Sequence, residues 1–124
     1  MLLEPSVIVL YVDNMTISSN FYQDLLGIMP QEDSPAFHAF QLSNGMILAL
    51  KAKHSVEPPP EKQNGNGELA FTVDNNKKVD ELFAEWQAKE LNIILPPCIV
   101  PYGYTFVALD PDGNRLRIVA LGNS

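Results

Sequence analysis

The sequence predicts an α+β fold of two β-α-β-β-β modules whose curved sheets pair around a cavity. Three observations predict it. The chain repeats itself at about half its length: an apolar run ends in Val12-Asp13-Asn14, and a second ends in Val73-Asp74-Asn75. One amphipathic stretch follows each Val-Asp-Asn, then a strand-like run that reaches Pro30 or Pro96. Each copy closes on a turn, Asn44-Gly45 or Asp112-Gly113, followed by a further strand-like run.

Residues 6–12, rich in Val and Ile, read as a buried strand. Over 16–26, Ile17, Phe21 and Leu25 recur every four residues, which is one helix face, and Gly27 supplies the left-handed stop. Strand-like runs follow at 27–32, 36–42 and 46–52, with Asn44-Gly45 as the hairpin turn between the last two. Residues 53–67 hold Pro58-Pro59-Pro60 and Asn64-Gly65-Asn66-Gly67 and read as a connector. The second copy runs strand 69–73, helix 77–90 and strand 91–95. Its helix places Val79, Leu82, Phe83 and Trp86 on one apolar face. Strand 104–109, the turn Asp110-Pro111-Asp112-Gly113 and strand 115–121 complete it. The chain is thus one domain over 1–124, with module one at 1–52, a connector at 53–67 and module two at 68–124.

Composition excludes several function classes. At 124 residues the chain is one domain or two small modules, and 46% hydrophobic content is ordinary for a globular protein. No apolar run approaches the ~20 residues that span a bilayer, so no membrane role is expected. The first residues, with Glu4 and Pro5, lack the basic region and long apolar core of a secretory signal. Cys98 is the single cysteine, which excludes an internal disulfide and fits a reduced, cytoplasmic setting. The formal net charge of −7 argues against a nucleic-acid partner, whose phosphates are bound by Lys and Arg. An acidic surface instead concentrates cations near it.

Paired β-α-β-β-β modules closing on Asp110-Pro111-Asp112-Gly113-Asn114 resemble the vicinal oxygen chelate superfamily. This is the family of glyoxalase I, extradiol dioxygenases, and bleomycin and fosfomycin resistance proteins. Asn20-Phe21-Tyr22 and Leu25-Leu26-Gly27 on the first helix carry the resemblance too, as does Pro101-Tyr102-Gly103 before the seventh strand. Residues 79–86 and Tyr102-Gly103-Tyr104-Thr105-Phe106 are similar to the metal-free members that bind phenazine-type drugs without destroying them. Those members place an aromatic stacking residue where this chain has Lys51. The resemblance implies a small-molecule ligand and a homodimer.

Enzymes of the family hold one divalent metal through the first and last strand of each module. The internal repeat locates those positions here. Five residues before each Val of Val-Asp-Asn stand Val7 and Glu68. Four residues after each turn glycine stand Ala49 and Arg117. Divalent metals need oxygen, nitrogen or sulfur donors, which valine and alanine lack. Arginine keeps its charge and repels the ion. A slip of one residue would turn every side chain to the other face, but the neighbours Ile8, Ile47, Leu48, Leu69, Leu116 and Ile118 offer no donor either. No metal and no other cofactor is therefore expected.

His38, in a strand, reads as a hydrogen-bonded structural residue or a ligand, and His54 as a solvated residue at the connector edge. Cys98 has no histidine fixed near it by spacing, so a nucleophilic role lacks support. If strand alternation holds, Glu68 and Arg117 face one cavity. There they form either a structural ion pair in a vacated metal position or a polar anchor for a ligand. The expected ligand-binding set is Val7, Phe40, Ala49, Lys51, Glu68, Tyr104, Phe106 and Arg117, with Val9 beside them. Apolar and aromatic walls with few convergent polar groups suit a small molecule. The function these residues point to is metal-free sequestration of an aromatic or planar compound such as an antibiotic, without catalytic residues. The alternatives are a metal-dependent lyase or dioxygenase of the same family, and an interaction or regulatory module with no small ligand.

Overall fold

The repeated Val-Asp-Asn is the start of each helix. In the computed structural model, which describes residues 3–60 and 67–122, Asn14 caps helix α1 (Met15–Leu26) by accepting from the Ile17 amide at 3.0 Å. Asn75 caps α2 (Asn76–Ala88) by accepting from the Lys78 amide at 2.9 Å. An Asn side chain in this position satisfies one of the helix's orphan amides and fixes where the strand-to-helix turn occurs. At the other end of α1, Gly27 turns left-handed and its amide closes on the Gln23 carbonyl at 2.9 Å.

The chain divides into two units, Met1–Gln63 and Asn64–Ser124. The first unit holds β1 (Val7–Val12), α1, β2 (Glu32–Ser34), β3 (Phe37–Gln41) and β4 (Ile47–Ala52), then a short 3-10 turn (Lys53–Ser55). The second holds β5 (Glu68–Thr72), α2, β6 (Asn92–Val100), β7 (Gly103–Leu109) and β8 (Arg115–Leu121). Their sheets are ordered β1-β4-β3-β2 and β5-β8-β7-β6, the same order twice. In each, the first strand pairs parallel to the last and the rest are antiparallel. The α+β class and both β-α-β-β-β modules are as the sequence predicts. Within the connector, Asn64, Gly65 and Asn66 lie outside the described residues, as do Met1 and Leu2.

Two strands differ from expectation, both because of proline. The second strand begins at Glu32 rather than 27, because Pro30 has no amide to give a neighbouring strand. Gln31 is the first residue of this stretch to reach β3, donating to the Ala39 carbonyl at 2.7 Å. β6 does not stop at Leu95 but runs through Pro96-Pro97 to Val100. It is an edge strand, so the missing amides need no partner on its open side. Register shifts between Ile93 and Leu95, and again between Leu95 and Cys98, absorb the irregularity.

Each helix covers one face of its own sheet. In the first unit Leu48, Leu50, Phe40 and Val12 lie on that face and are at most 3% exposed. In the second, Leu116, Ile118, Ala120, Phe106 and Ala108 do the same. Trp86 meets Phe71 and Phe106 edge-on, with centroids 6.1 and 5.3 Å apart, and Phe83 meets Phe106 at 5.4 Å. The closing motif is a hydrogen-bonded turn. One Asp110 carboxylate oxygen accepts from the amides of Asp112 (2.9 Å) and Asn114 (2.8 Å). The other accepts from the Asn114 side chain at 3.0 Å. That geometry delivers Arg115, and with it β8, in a fixed register against β5.

Candidate functional site

Strand parity decides which predicted residues can act together. In the second unit Glu68 pairs with Arg115 and Ala70 with Arg117, so Glu68 and Arg117 share the face away from α2. They touch: the Arg117 Nε donates to a Glu68 carboxylate oxygen at 3.2 Å. Arg117 is 15% exposed along its side chain and Glu68 38%, so the pair sits at a partly solvated rim. The Arg117 Nη1 also donates to the Thr105 hydroxyl at 3.3 Å, and Thr105 passes its own proton to the Ile118 carbonyl at 2.7 Å. The Tyr102 ring lies 6.0 Å from the guanidinium carbon, at the outer limit of a cation–π contact. Two of the five guanidinium N–H groups are thus tied down among the described residues. Among the described residues the planar fork is held through Nε and Nη1, and Nη2 meets no acceptor.

Sequence reasoning missed Thr105 and Tyr102 as members of this cluster. Thr105 pairs with Val119, two residues from Arg117 on the same face, a relation that parity reveals only once the register of β7 and β8 is known. Tyr102 belongs to the turn between β6 and β7, where alternation gives no guide.

In the first unit Val7 pairs with Ile47 and Val9 with Ala49, so Val7 and Ala49 share the face away from α1. This is the arrangement of Glu68 and Arg117 in the second unit, which bears out the repeat-based alignment within each module. Lys51 shares that face and stands between Tyr11 on one side and Phe37 on the other.

Three predicted wall residues face the other way. Phe40 pairs with Leu48, Tyr104 with Ala120 and Phe106 with Ile118, each one position out of step with Ala49 or Arg117. Phe40 and Phe106 are 0% exposed beneath the helices and are core residues. Tyr104 points toward α2 and donates its hydroxyl proton to Asp80 at 2.7 Å. That hydrogen bond holds the Tyr104 hydroxyl above the usual phenol range, with lesser contributions from burial and from the charges of Asp80 and Cys98. A period of two leaves no intermediate position, so Phe40, Tyr104 and Phe106 are corrected from ligand wall to helix-facing side chains.

His38 lies on the helix side with Phe40. Its Nδ1 is 2.7 Å from the Ser19 hydroxyl on α1, and that hydroxyl accepts from the Gln23 amide at 3.1 Å. The direction of the Ser19–His38 bond follows the imidazole tautomer, but in either direction it ties the ring to α1, so His38 is the hydrogen-bonded structural residue of its two expected readings. Cys98 is partly exposed and pairs with Thr105.

The residues at the positions that the resemblance assigns to a metal do not fit one. Val7 and Ala49 have no donor atom, and the Arg117 cation already occupies the Glu68 carboxylate. Among the described residues no group of three or more His, Cys, Asp or Glu is placed to hold an ion. Among them, too, no helix is long and apolar enough to cross a membrane.

Comparison with known proteins agrees with this fold. The chain is similar to an Agrobacterium tumefaciens protein solved by solution NMR, with 45% identity and a TM-score of 0.86 over 98% of this chain and all of that one. It is similar to a glyoxalase-related enzyme from Fulvimarina pelagi, with 25% identity and a TM-score of 0.82 over 96% of this chain and 88% of the other. In sequence it is 28% identical to the phenazine antibiotic resistance protein EhpR of Enterobacter agglomerans, over 94% of this chain and 92% of that protein. The sequence model of one family matches residues 5–118, nearly the whole chain. Two copies of one module in the same strand order, with that match across both, make this chain a member of the glyoxalase/bleomycin resistance protein/dioxygenase superfamily.

Proposed function

We propose that this protein binds a planar aromatic compound such as an antibiotic without a metal and sequesters it rather than converting it. One observation carries the proposal: Arg117, where the resemblance places a metal ligand of the family's enzymes, has its fork fixed by Glu68 and Thr105. A cation in that position disfavours a divalent ion and favours a carboxylate or a polarised ring oxygen. The name of the Enterobacter relative, a phenazine antibiotic resistance protein, supports a ligand of this class. Val7, Ala49 and Lys51 on the first unit's face away from α1, and Glu68 and Arg117 on the second's face away from α2, are the residues proposed to meet it. The same reading takes the chain as a cytoplasmic protein.

A thermal-shift screen with phenazine-1-carboxylate, bleomycin and mitomycin C, and with zinc, nickel and manganese, tests this. A ligand present at 100 times its dissociation constant adds about 2.7 kcal/mol of stability. The expected result is a rise with the phenazine carboxylate and none with the metals. Arg117→Ala should weaken the carboxylate at least tenfold, the loss expected of a charge-assisted hydrogen bond. Its stability should fall by only about 0–1 kcal/mol, because the ion pair is partly solvated. Stoichiometric metal in protein purified without chelators, or unchanged binding in Arg117→Ala, would overturn the proposal.

The working form is proposed to be a homodimer. β1 is an edge strand with Val7, Ile8, Val9 and Tyr11 each 39–43% exposed, on both of its faces. An apolar edge with unpaired backbone groups is a template for another chain, and a second copy is the partner proposed. Light scattering should give twice the 13.8 kDa chain mass. A strict monomer at high micromolar concentration would count against the dimer.

A further inference from the structure

We propose that the connector end of the first unit holds a separate site for an organic ammonium ion with a ring-sized apolar body. The inference does not rest on the reading of Arg117. β1 and β4 run parallel and end together at the Val12–Ala52 pair. Asp13 and Lys53 follow immediately, so both stand beyond the carboxyl ends of this parallel pair. A cleft of about 370 Å³ opens there. That is within the range of small-molecule pockets, roughly 300–1,000 Å³.

The chemistry of its lining selects a cation. Lys53 Nζ lies 3.0 Å from an Asp13 carboxylate oxygen, so its charge is matched locally. Glu57 and His54 also line the cleft. Among the described residues Glu57 makes no ion pair or hydrogen bond. Among the described lining residues, the carboxylates of Asp13 and Glu57 outnumber the one ammonium of Lys53. The chain's net charge of −7 adds to the local concentration of cations. An anion would meet Glu57 and a lysine already engaged.

The apolar part of the cleft comes from Val56, Pro59 and Pro60. Proline rings present rigid C–H faces suited to a flat ring, and their fixed φ restricts the wall before anything binds. A restricted wall loses less entropy on binding than a free loop would. The ammonium would then lie toward Glu57 with the ring against the prolines.

Titration of the 15N-labelled protein with benzylamine tests this, with benzyl alcohol and benzoate as size-matched controls. Benzylamine should give saturable shifts confined to the amides of Asp13, Lys53, His54, Val56 and Glu57. The two controls should bind at least tenfold more weakly. Glu57→Gln, an exposed and neutral change, should weaken benzylamine about tenfold. Glu57→Lys should abolish benzylamine binding and admit benzoate. Arg117→Ala should leave benzylamine untouched, which separates this site from the one proposed in the second unit. Shifts elsewhere, equal binding of all three probes, or unchanged affinity in Glu57→Gln would overturn the proposal.

Discussion

Phe106→Ala should cost the second unit about 3–5 kcal/mol of stability while leaving the ligand affinity of the folded protein unchanged. Phe106 is 0% exposed and meets both Phe83 and Trp86 edge-on. Truncation removes a large buried ring, leaves a cavity among close-packed neighbours, and loses two aromatic pairs worth about 0.5–1.5 kcal/mol each beyond area. Trp86, the single tryptophan and 4% exposed, reports the change directly through its fluorescence in a urea titration. Had Phe106 lined a ligand cavity, as residue type alone implies, the variant would lose affinity and keep most of its stability. A destabilisation under about 1 kcal/mol together with weakened phenazine-carboxylate binding would return Phe106 to the ligand wall.

The same residue shows where sequence reasoning reaches and where it stops. The repeat of Val-Asp-Asn located both helix caps, because an Asn side chain satisfying a backbone amide is a local event. The repeat also carried the alignment of Val7 with Glu68 and of Ala49 with Arg117, since both modules count identically from cap and turn. Glu68 and Arg117 were legible as neighbours for that reason. Phe40, Tyr104 and Phe106 were not legible as core. Aromatic residues in strands look alike from either face, and only the pairings of Phe40 with Leu48 and Phe106 with Ile118 reveal the side. The course of β6 through Pro96-Pro97 was hidden likewise. A proline excludes a central strand but not an edge strand, and which strand lies at the edge is a property of topology. Thr105 lay one strand over from Arg117, a relation the spacing of β7 and β8 contains only once their register is known.

Gly103→Ala should be the most damaging single substitution of a non-aromatic residue in the second unit, costing about 4 kcal/mol or more. Gly103 opens β7 at φ +156°, opposite Leu121. A Cβ built there would lie 2.1 Å from the Ala120 carbonyl oxygen and 3.0 Å from the Leu121 Cα. Both are backbone atoms of the neighbouring strand and cannot swing aside as a side-chain tip can. Relief requires separating β7 from β8, the two interior strands of the sheet. Those strands carry Thr105 and Arg117, so the polar cluster should be lost along with the pairing. Gly122 is the control. It also has positive φ, at +91°, but a Cβ there meets nothing within 4 Å. Gly122→Ala should therefore show only the left-handed backbone cost of about 1–2 kcal/mol. Urea titrations of the two variants distinguish strain from collision. The collision argument predicts that Gly103→Ala unfolds at much lower urea, or fails to fold, while Gly122→Ala shifts modestly. Equal midpoints would mean that β7 and β8 can part at that end without consequence, and that the turn after Pro101 does not hold the Arg117 face in place.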